Sequence, residues 1–189
     1  MSNYFILDIE TAPLQLEVYE QLNEEERKSH LNPIDSKIVA IGLRSKNANT
    51  ILMDDNEKRL LEHFWKKWNE LRMGGTPIVG FNITNFDLPF IVTRSFINNI
   101  KITPFTLKFV VDLREKVNAY RYGPSRGTLK DFGKALGIPE IGMDGSHIAM
   151  LWKNKQFETI KKYLENDLLI TDKMYQRMEE TNILQINKW

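Results

Sequence analysis

Asn3-Tyr4-Phe5-Ile6-Leu7-Asp8-Ile9-Glu10-Thr11 decides how this chain is read. Successive side chains of a strand point to opposite faces, so Tyr4, Ile6, Asp8 and Glu10 share one side and Phe5, Leu7 and Ile9 the other. The early part of the run is apolar on both faces, which predicts a strand in the middle of a sheet covered by helices. Both acids then leave that strand on the same side. Burying unpaired carboxylates costs roughly several kcal/mol each, so two side by side ask for a positive partner. A divalent cation meets the demand, and carboxylate oxygens suit magnesium or manganese. The plainer alternative is that Asp8 and Glu10 mark where the strand meets water, and the rest of the chain has to decide.

Composition narrows the field. The 189 residues predict one domain spanning 1–189, large enough to bury a sizeable core, and an apolar content of 42% with 27% charged residues fits a soluble globular protein. There is neither a membrane-length apolar window nor a basic-then-apolar leader, so the expected address is the cytoplasm. With no cysteine and only three scattered histidines, His30, His63 and His147, a metal site has to be built from oxygen. A net charge of +1 argues against attraction of nucleic acid by the whole molecule but leaves room for a local basic groove.

In chain order, Pro13 to Pro33 is polar and charged around Glu24-Glu25-Glu26-Arg27-Lys28, with a short helix expected near Leu16 to Leu22. Such an insertion is either a flap touching substrate or a solvated loop. Lys37 to Leu43 and Thr50 to Met53 read as strands, joined through Asn47 to Asn49 as turn formers. Asp54-Asp55 is expected to open a helix to about Met73, with Leu61, Phe64, Trp65, Trp68 and Leu71 at core spacing and His63 off the stripe. Gly74-Gly75 ends it, and Pro77 to Phe81 is a short buried strand. Phe109 to Asp112 completes a mixed sheet of about five strands, and Thr128 caps a helix through Leu136 that Gly137 ends. The long strand-helix-strand crossover from Met53 to Pro77 predicts a three-layer α/β/α domain.

Two further carboxylates fall where the first pair could use them. Asp87, in Asn82-Ile83-Thr84-Asn85-Phe86-Asp87-Leu88-Pro89-Phe90, sits at the carboxyl edge of a strand, where open α/β sheets place ligands. Its residue type also suits the cap of the following helix. The last helix, about Phe157 to Met178, carries Phe157, Ile160, Leu164, Leu168, Thr171, Tyr175 and Met178 as its core stripe. Tyr163 and Asp167 stand one turn apart on the shoulder of that stripe, while Glu165, Asn166 and Asp172 point elsewhere. A tyrosine-aspartate hydrogen bond would explain the pair equally well. Asp112 also ends a strand, but Asp112-Leu113-Arg114-Glu115 fits a helix cap. Asp144 reads as a turn residue.

Together these stretches resemble the DEDD superfamily of 3′→5′ exonucleases, in particular the exonuclease domain of family B DNA polymerases. Phe5 to Thr11 matches the family's Asp-x-Glu motif, and Gly80 to Pro89 matches the second motif of Asn, three residues, an aromatic and Asp. Tyr163-Leu164-Glu165-Asn166-Asp167 matches the third in its Tyr-x-x-x-Asp form. Lys162 stands where the histidine branch would need its histidine, so the likeness is to the tyrosine branch, DEDDy. The resemblance covers about Asn3 to Met178, and no polymerase catalytic region accompanies it, which predicts a free-standing nuclease. Gln15 to His30 aligns with nothing.

The resemblance implies an RNase H-like fold and two-metal hydrolysis of phosphodiester bonds from a free 3′ end, with two Mg2+ or Mn2+ ions roughly 3.5 to 4 Å apart. Asp8 would bridge both ions, Glu10 and Asp167 would complete one shell, and Asp87 would hold the second. Tyr163 would position the attacking water. Thr11 would contact the terminal nucleotide, Asn82 would bond the strand, and Phe86 would support or stack on a base, although core packing suits Phe86 better. Arg121, Arg126 and Lys130 form a local basic cluster that could meet phosphates or be solvated. The expected partner is a single strand of nucleic acid, DNA favoured over RNA, with replication or repair proteins as candidate associates. An RNase H-like endonuclease and a non-cleaving single-strand binding module remain the rival readings.

Overall fold

The structure, a computed structural model, describes residues 3–72, 75–123, 126–139, 141–143 and 145–188. The expected stop at Gly74 and the expected turn at Asp144 lie outside them. In chain order the elements are β1 (Phe5–Pro13), α1 (Leu16–Glu20), α2 (Glu24–Ser29), β2 (Ser36–Ser45), β3 (Ala48–Met53), α3 (Glu57–Leu71) and β4 (Ile78–Gly80). There follow α4 (Asp87–Ile97), β5 (Val110–Asp112), α5 (Leu113–Val117), α6 (Leu129–Ala135), α7 (Ile148–Lys153) and α8 (Phe157–Glu180).

Five strands form one sheet in the order β3-β2-β1-β4-β5. β1 lies at its centre, antiparallel to β2 and parallel to β4, so the expected mixed α/β sheet is what the chain builds. The alternation read from the opening stretch holds. Phe5, Leu7 and Ile9 pack with Leu61, Phe64, Trp68 and Ile91 of α3 and α4. Ile6, on the other face, packs with Leu168, Met174 and Met178 of α8. A strand buried on both faces is what a continuous apolar run demands.

Three local expectations need correcting. The β2–β3 turn is centred on Lys46 and Asn47, with φ of 50° and 65°, and Asn49 already pairs with Arg44 inside the ladder. Two successive positive φ angles make the primed two-residue turn whose twist suits a hairpin. α3 starts at Glu57 because Asn56 supplies the capping oxygen to Arg59 N–H at 3.2 Å, while Asp54 instead pairs with the Arg59 guanidinium. The 14–35 insertion also holds more order than one short helix: α2 carries a capping box between Asn23 and Glu26.

Glu57 has a task its sequence context hides. It is buried, accepts Ile38 N–H at 2.8 Å and pairs with the equally buried Arg94, tying α3 and α4 to β2. Asp172, expected to point away from the acid group, does so and is tied into the fold. It is buried at 3% exposure, away from the other acids, and takes Arg44 Nε at 2.8 Å and the Tyr4 hydroxyl at 2.6 Å. Among the described residues no helix is long and apolar enough to cross a membrane.

Candidate active site

The close approach of α8 to the sheet makes the site. Gly42 is the register partner of Asp8 across the β1–β2 ladder, and a Cβ there would lie 2.8 Å from Leu164 Cγ and 2.9 Å from Leu168 Cδ1. Glycine in a strand marks such an approach, and here it lets α8 settle directly over β1. Tyr163 and Asp167 arrive beside Asp8 and Glu10 as a result. A bulge between Glu10 and Thr11, where the partner shifts from Ala40 to Ile38, bends β1 just past the second acid.

Carboxylate oxygens of Asp8, Glu10 and Asp167 lie within 4.8 Å of one another. Glu10 and Asp167 are buried and Asp8 is part-exposed. Asp87 stands at the first position of α4, yet its side chain does not cap that helix. Oδ1 instead accepts the N–H of Ile9, between the two β1 acids, at 3.1 Å. All four sequence-predicted acids therefore gather at the middle of β1, three as a compact set and Asp87 beside it. The capping alternative for Asp87 is set aside by where its oxygen points, whereas for Asp112 it holds. Asp112 caps α5 through Arg114 N–H at 3.0 Å and also accepts Asn82 N–H, Thr84 N–H and the Thr84 hydroxyl.

Crowding leaves an electrostatic signature. Burial first, then the neighbouring carboxylates, push Asp8 and Glu10 well above the usual carboxylate range. Burial pushes Asp87 up to about 7, against the pull of the Ile9 N–H bond. Asp167 is raised by burial and held back by Lys130 and Tyr163. Its neighbour Tyr163 is shifted far upward by burial and by the acids around it, so the phenol keeps its proton and donates to Asp167.

Lys130 corrects the expected phosphate-facing cluster: its ammonium ion-pairs with Asp167 and lies 4.4 Å from the centre of the Tyr163 ring. Arg126 donates Nε to the Gly123 carbonyl at 3.2 Å, and Arg121 is exposed. Phe86 packs against Phe90 at 5.4 Å between centroids and joins the core below, the packing role its burial had favoured. Thr11 is buried beside the bulge. Asn82, with φ of 62°, lies on the wall of a hollow of about 260 Å³ together with Asp8, Glu10, Tyr163 and Asp167. Phe81, Arg114 and Leu129 line that hollow too, and sequence reasoning did not assign them to it. Their signal was faint, because Arg114 and Leu129 sit in helices too short to show a face. A larger hollow of about 800 Å³ lies over Tyr4, Arg44 and Asp172, where the charges are already paired with one another.

Can these residues hold cations? The donors are all carboxylate oxygens, there are more of them than Lys130 can neutralise, and they converge at ligand-to-ligand spacing. Hard divalent cations such as magnesium or manganese fit that donor set. Asp8, Glu10 and Asp167 would hold one, and the charge of Asp87 acts on Asp8 from beside that set.

A central mixed sheet, helices on both faces and acids grouped over its middle strand define an RNase H-like α/β domain. The structure of the family B DNA polymerase from the hyperthermophilic archaeon Pyrobaculum calidifontis shares this fold, with a TM-score of 0.73 and 15% identity. The match covers 97% of this chain and 25% of the polymerase, so the chain spans about a quarter of that enzyme's length. Residues 36–184 match the family described as "Predicted 3'-5' exonuclease related to the exonuclease domain of PolB", and the chain belongs to that family. An uncharacterized protein of Methanocaldococcus jannaschii is 34% identical over 166 residues, covering 82% of this chain and 93% of the relative. The family match begins at β2, so the Asp8 and Glu10 strand lies outside it and is joined to the site by the fold.

Proposed function

We propose that the chain is a 3′→5′ exonuclease that hydrolyses phosphodiester bonds at the free end of single-stranded nucleic acid, DNA favoured, and releases nucleoside monophosphates. The observation that carries this reading is the convergence of Asp8, Glu10 and Asp167 to within 4.8 Å, from a strand and a helix far apart in sequence. Divalent cations, Mg2+ or Mn2+ as a pair, supply charge neutralisation and an acidified water to in-line displacement at phosphorus. Each acid has a stated place. Asp8, Glu10 and Asp167 present oxygens from opposite walls, and Asp87 is held in position by the Ile9 amide. Tyr163 cannot act as the base, since its raised pKa keeps it a phenol at neutral pH. It orients a water beside Asp167 instead. Lys130 balances part of the negative charge, and the hollow lined by Asn82, Phe81 and Leu129 admits one end of a strand.

The test compares linear single strands labelled at the 3′ end with circular strands of the same sequence, in magnesium, manganese or chelator. Labelled mononucleotides released from linear strands only, and only with metal, are the expected result. Cut circles would replace this reading by an endonuclease, and uncut linear strands with metal present would end it.

A further inference from the structure

Arg114 is the cationic side chain lining the acid-walled hollow among the described residues, and its guanidinium is poorly satisfied. Its Nη1 reaches Asn82 Oδ1 only at 3.4 Å, and its Nε is buried without a hydrogen-bond partner. A buried donor left unpaired keeps its full desolvation cost, so a position that keeps one calls for a reason. Stacking on Phe81, at 5.9 Å from the ring centre, accounts for the packing of the plane but not for its donors. Partial burial and the neighbouring Arg126 hold the guanidinium pKa below its usual value, with the Asp112 carboxylate pulling the other way. The backbone beneath is fixed, because Asp112 takes Arg114 N–H with one oxygen and secures Asn82 and Thr84 as well. Arg114 thus lines the hollow with a guanidinium whose Nε has no acceptor and whose Nη1 has only a long bond to Asn82.

Building on the exonuclease reading, we propose that Arg114 binds a backbone phosphate of the incoming strand and fixes the register in which its 3′ end meets the acids. A guanidinium matches phosphate by two parallel bonds, which a lysine cannot do. Neither Lys130, engaged with Asp167, nor Arg126, engaged with the Gly123 carbonyl, has its charge as open to a strand in the hollow.

Binding of a fluorescent single strand, followed by anisotropy in chelator so that nothing is cut, tests this. Each linkage near the 3′ end is replaced in turn by a neutral methylphosphonate, for the wild-type chain and for Arg114→Gln and Arg114→Lys. At one linkage the wild type should lose about tenfold in affinity, while Arg114→Gln, already about tenfold weaker, should lose nothing more there. The slope of log affinity against log salt should fall by about 0.7 in Arg114→Gln, as for one single-strand phosphate contact. Arg114→Lys should keep the salt slope and recover part of the affinity, with an unchanged melting temperature. Penalties that simply add at every linkage, or an Arg114→Gln salt slope equal to wild type, would overturn the role of Arg114. A wild-type chain that shows this pattern but releases no nucleotide in metal would remove the exonuclease reading alone.

Discussion

At Asp87 one carboxylate answers to two neighbours, the Ile9 amide that stabilises its charge and the acids of β1 that oppose it. Replacing it by asparagine keeps a carbonyl oxygen for that amide and removes the charge. In chelator at pH 8, Asp87→Asn should therefore raise stability by about 1 kcal/mol or more, since one unit of pKa shift corresponds to about 1.4 kcal/mol. Activity should be lost, as measured by denaturant midpoints alongside nucleotide release; a lowered midpoint would make the acid structural. Tyr163→Phe should slow hydrolysis by about 10² or less and leave Mn2+ affinity unchanged, the scale of a positioning contact. Full activity in that variant would refute its role. Asp8, Glu10, Tyr163 and Asp167 were legible because strand alternation and the helical turn fix which side chains share a face. The pairing of Lys130 with Asp167 and the place of Arg114 in the hollow were not, because α6 and α5 are too short for periodicity to orient and only the tertiary contacts reveal them.

Among the elements, α8 and β1 are held at a distance set by Gly42. Gly42→Ala should push Leu164 and Leu168 outward and lift Tyr163 and Asp167 from Asp8. Overpacking of this kind costs about 1 to 3 kcal/mol, so a lower melting temperature and a fall in turnover of tenfold or more are expected together. Unchanged turnover would show that the helix position is not set there. Asp112 plays the matching part at the other wall. Asp112→Ala removes the acceptor for Asn82, Thr84 and Arg114 N–H, and a loss on the order of 3 kcal/mol in chemical denaturation is expected. The capping role of Asp112 could be read from Asp112-Leu113-Arg114-Glu115, whereas its hold on the 82–84 loop could not, since that bond spans 30 residues. Gly42 carried a signal that sequence reading let pass: a lone glycine inside a buried strand.

Across the whole molecule, the acid group makes stability depend on pH in an unusual direction. The folded-state pKa values of Asp8, Glu10, Asp87 and Asp167 are raised, so the folded chain retains protons that the unfolded chain has released. Stability in chelator should then fall as pH rises from about 4, the ordinary carboxylate value. The fall runs through about 7 for Asp87, and the raised Asp8 and Glu10 add to it. Mn2+ should reverse it, and a melting temperature in chelator that climbs over this range would contradict the assignment. The fold itself was legible at this scale, since a doubly apolar central strand and one long crossover leave few topologies open. What was not legible was how the acids share the site, because that depends on side-chain reach across elements. The central claim is that these acids tolerate one another as neighbours by holding divalent cations. Calorimetric titration of the chain with Mn2+ tests it most directly. Two ions bound by the wild type, with Asp8→Asn losing both, is the predicted result; a wild type that binds no Mn2+ at this site, or an Asp8→Asn titration indistinguishable from it, would contradict the account.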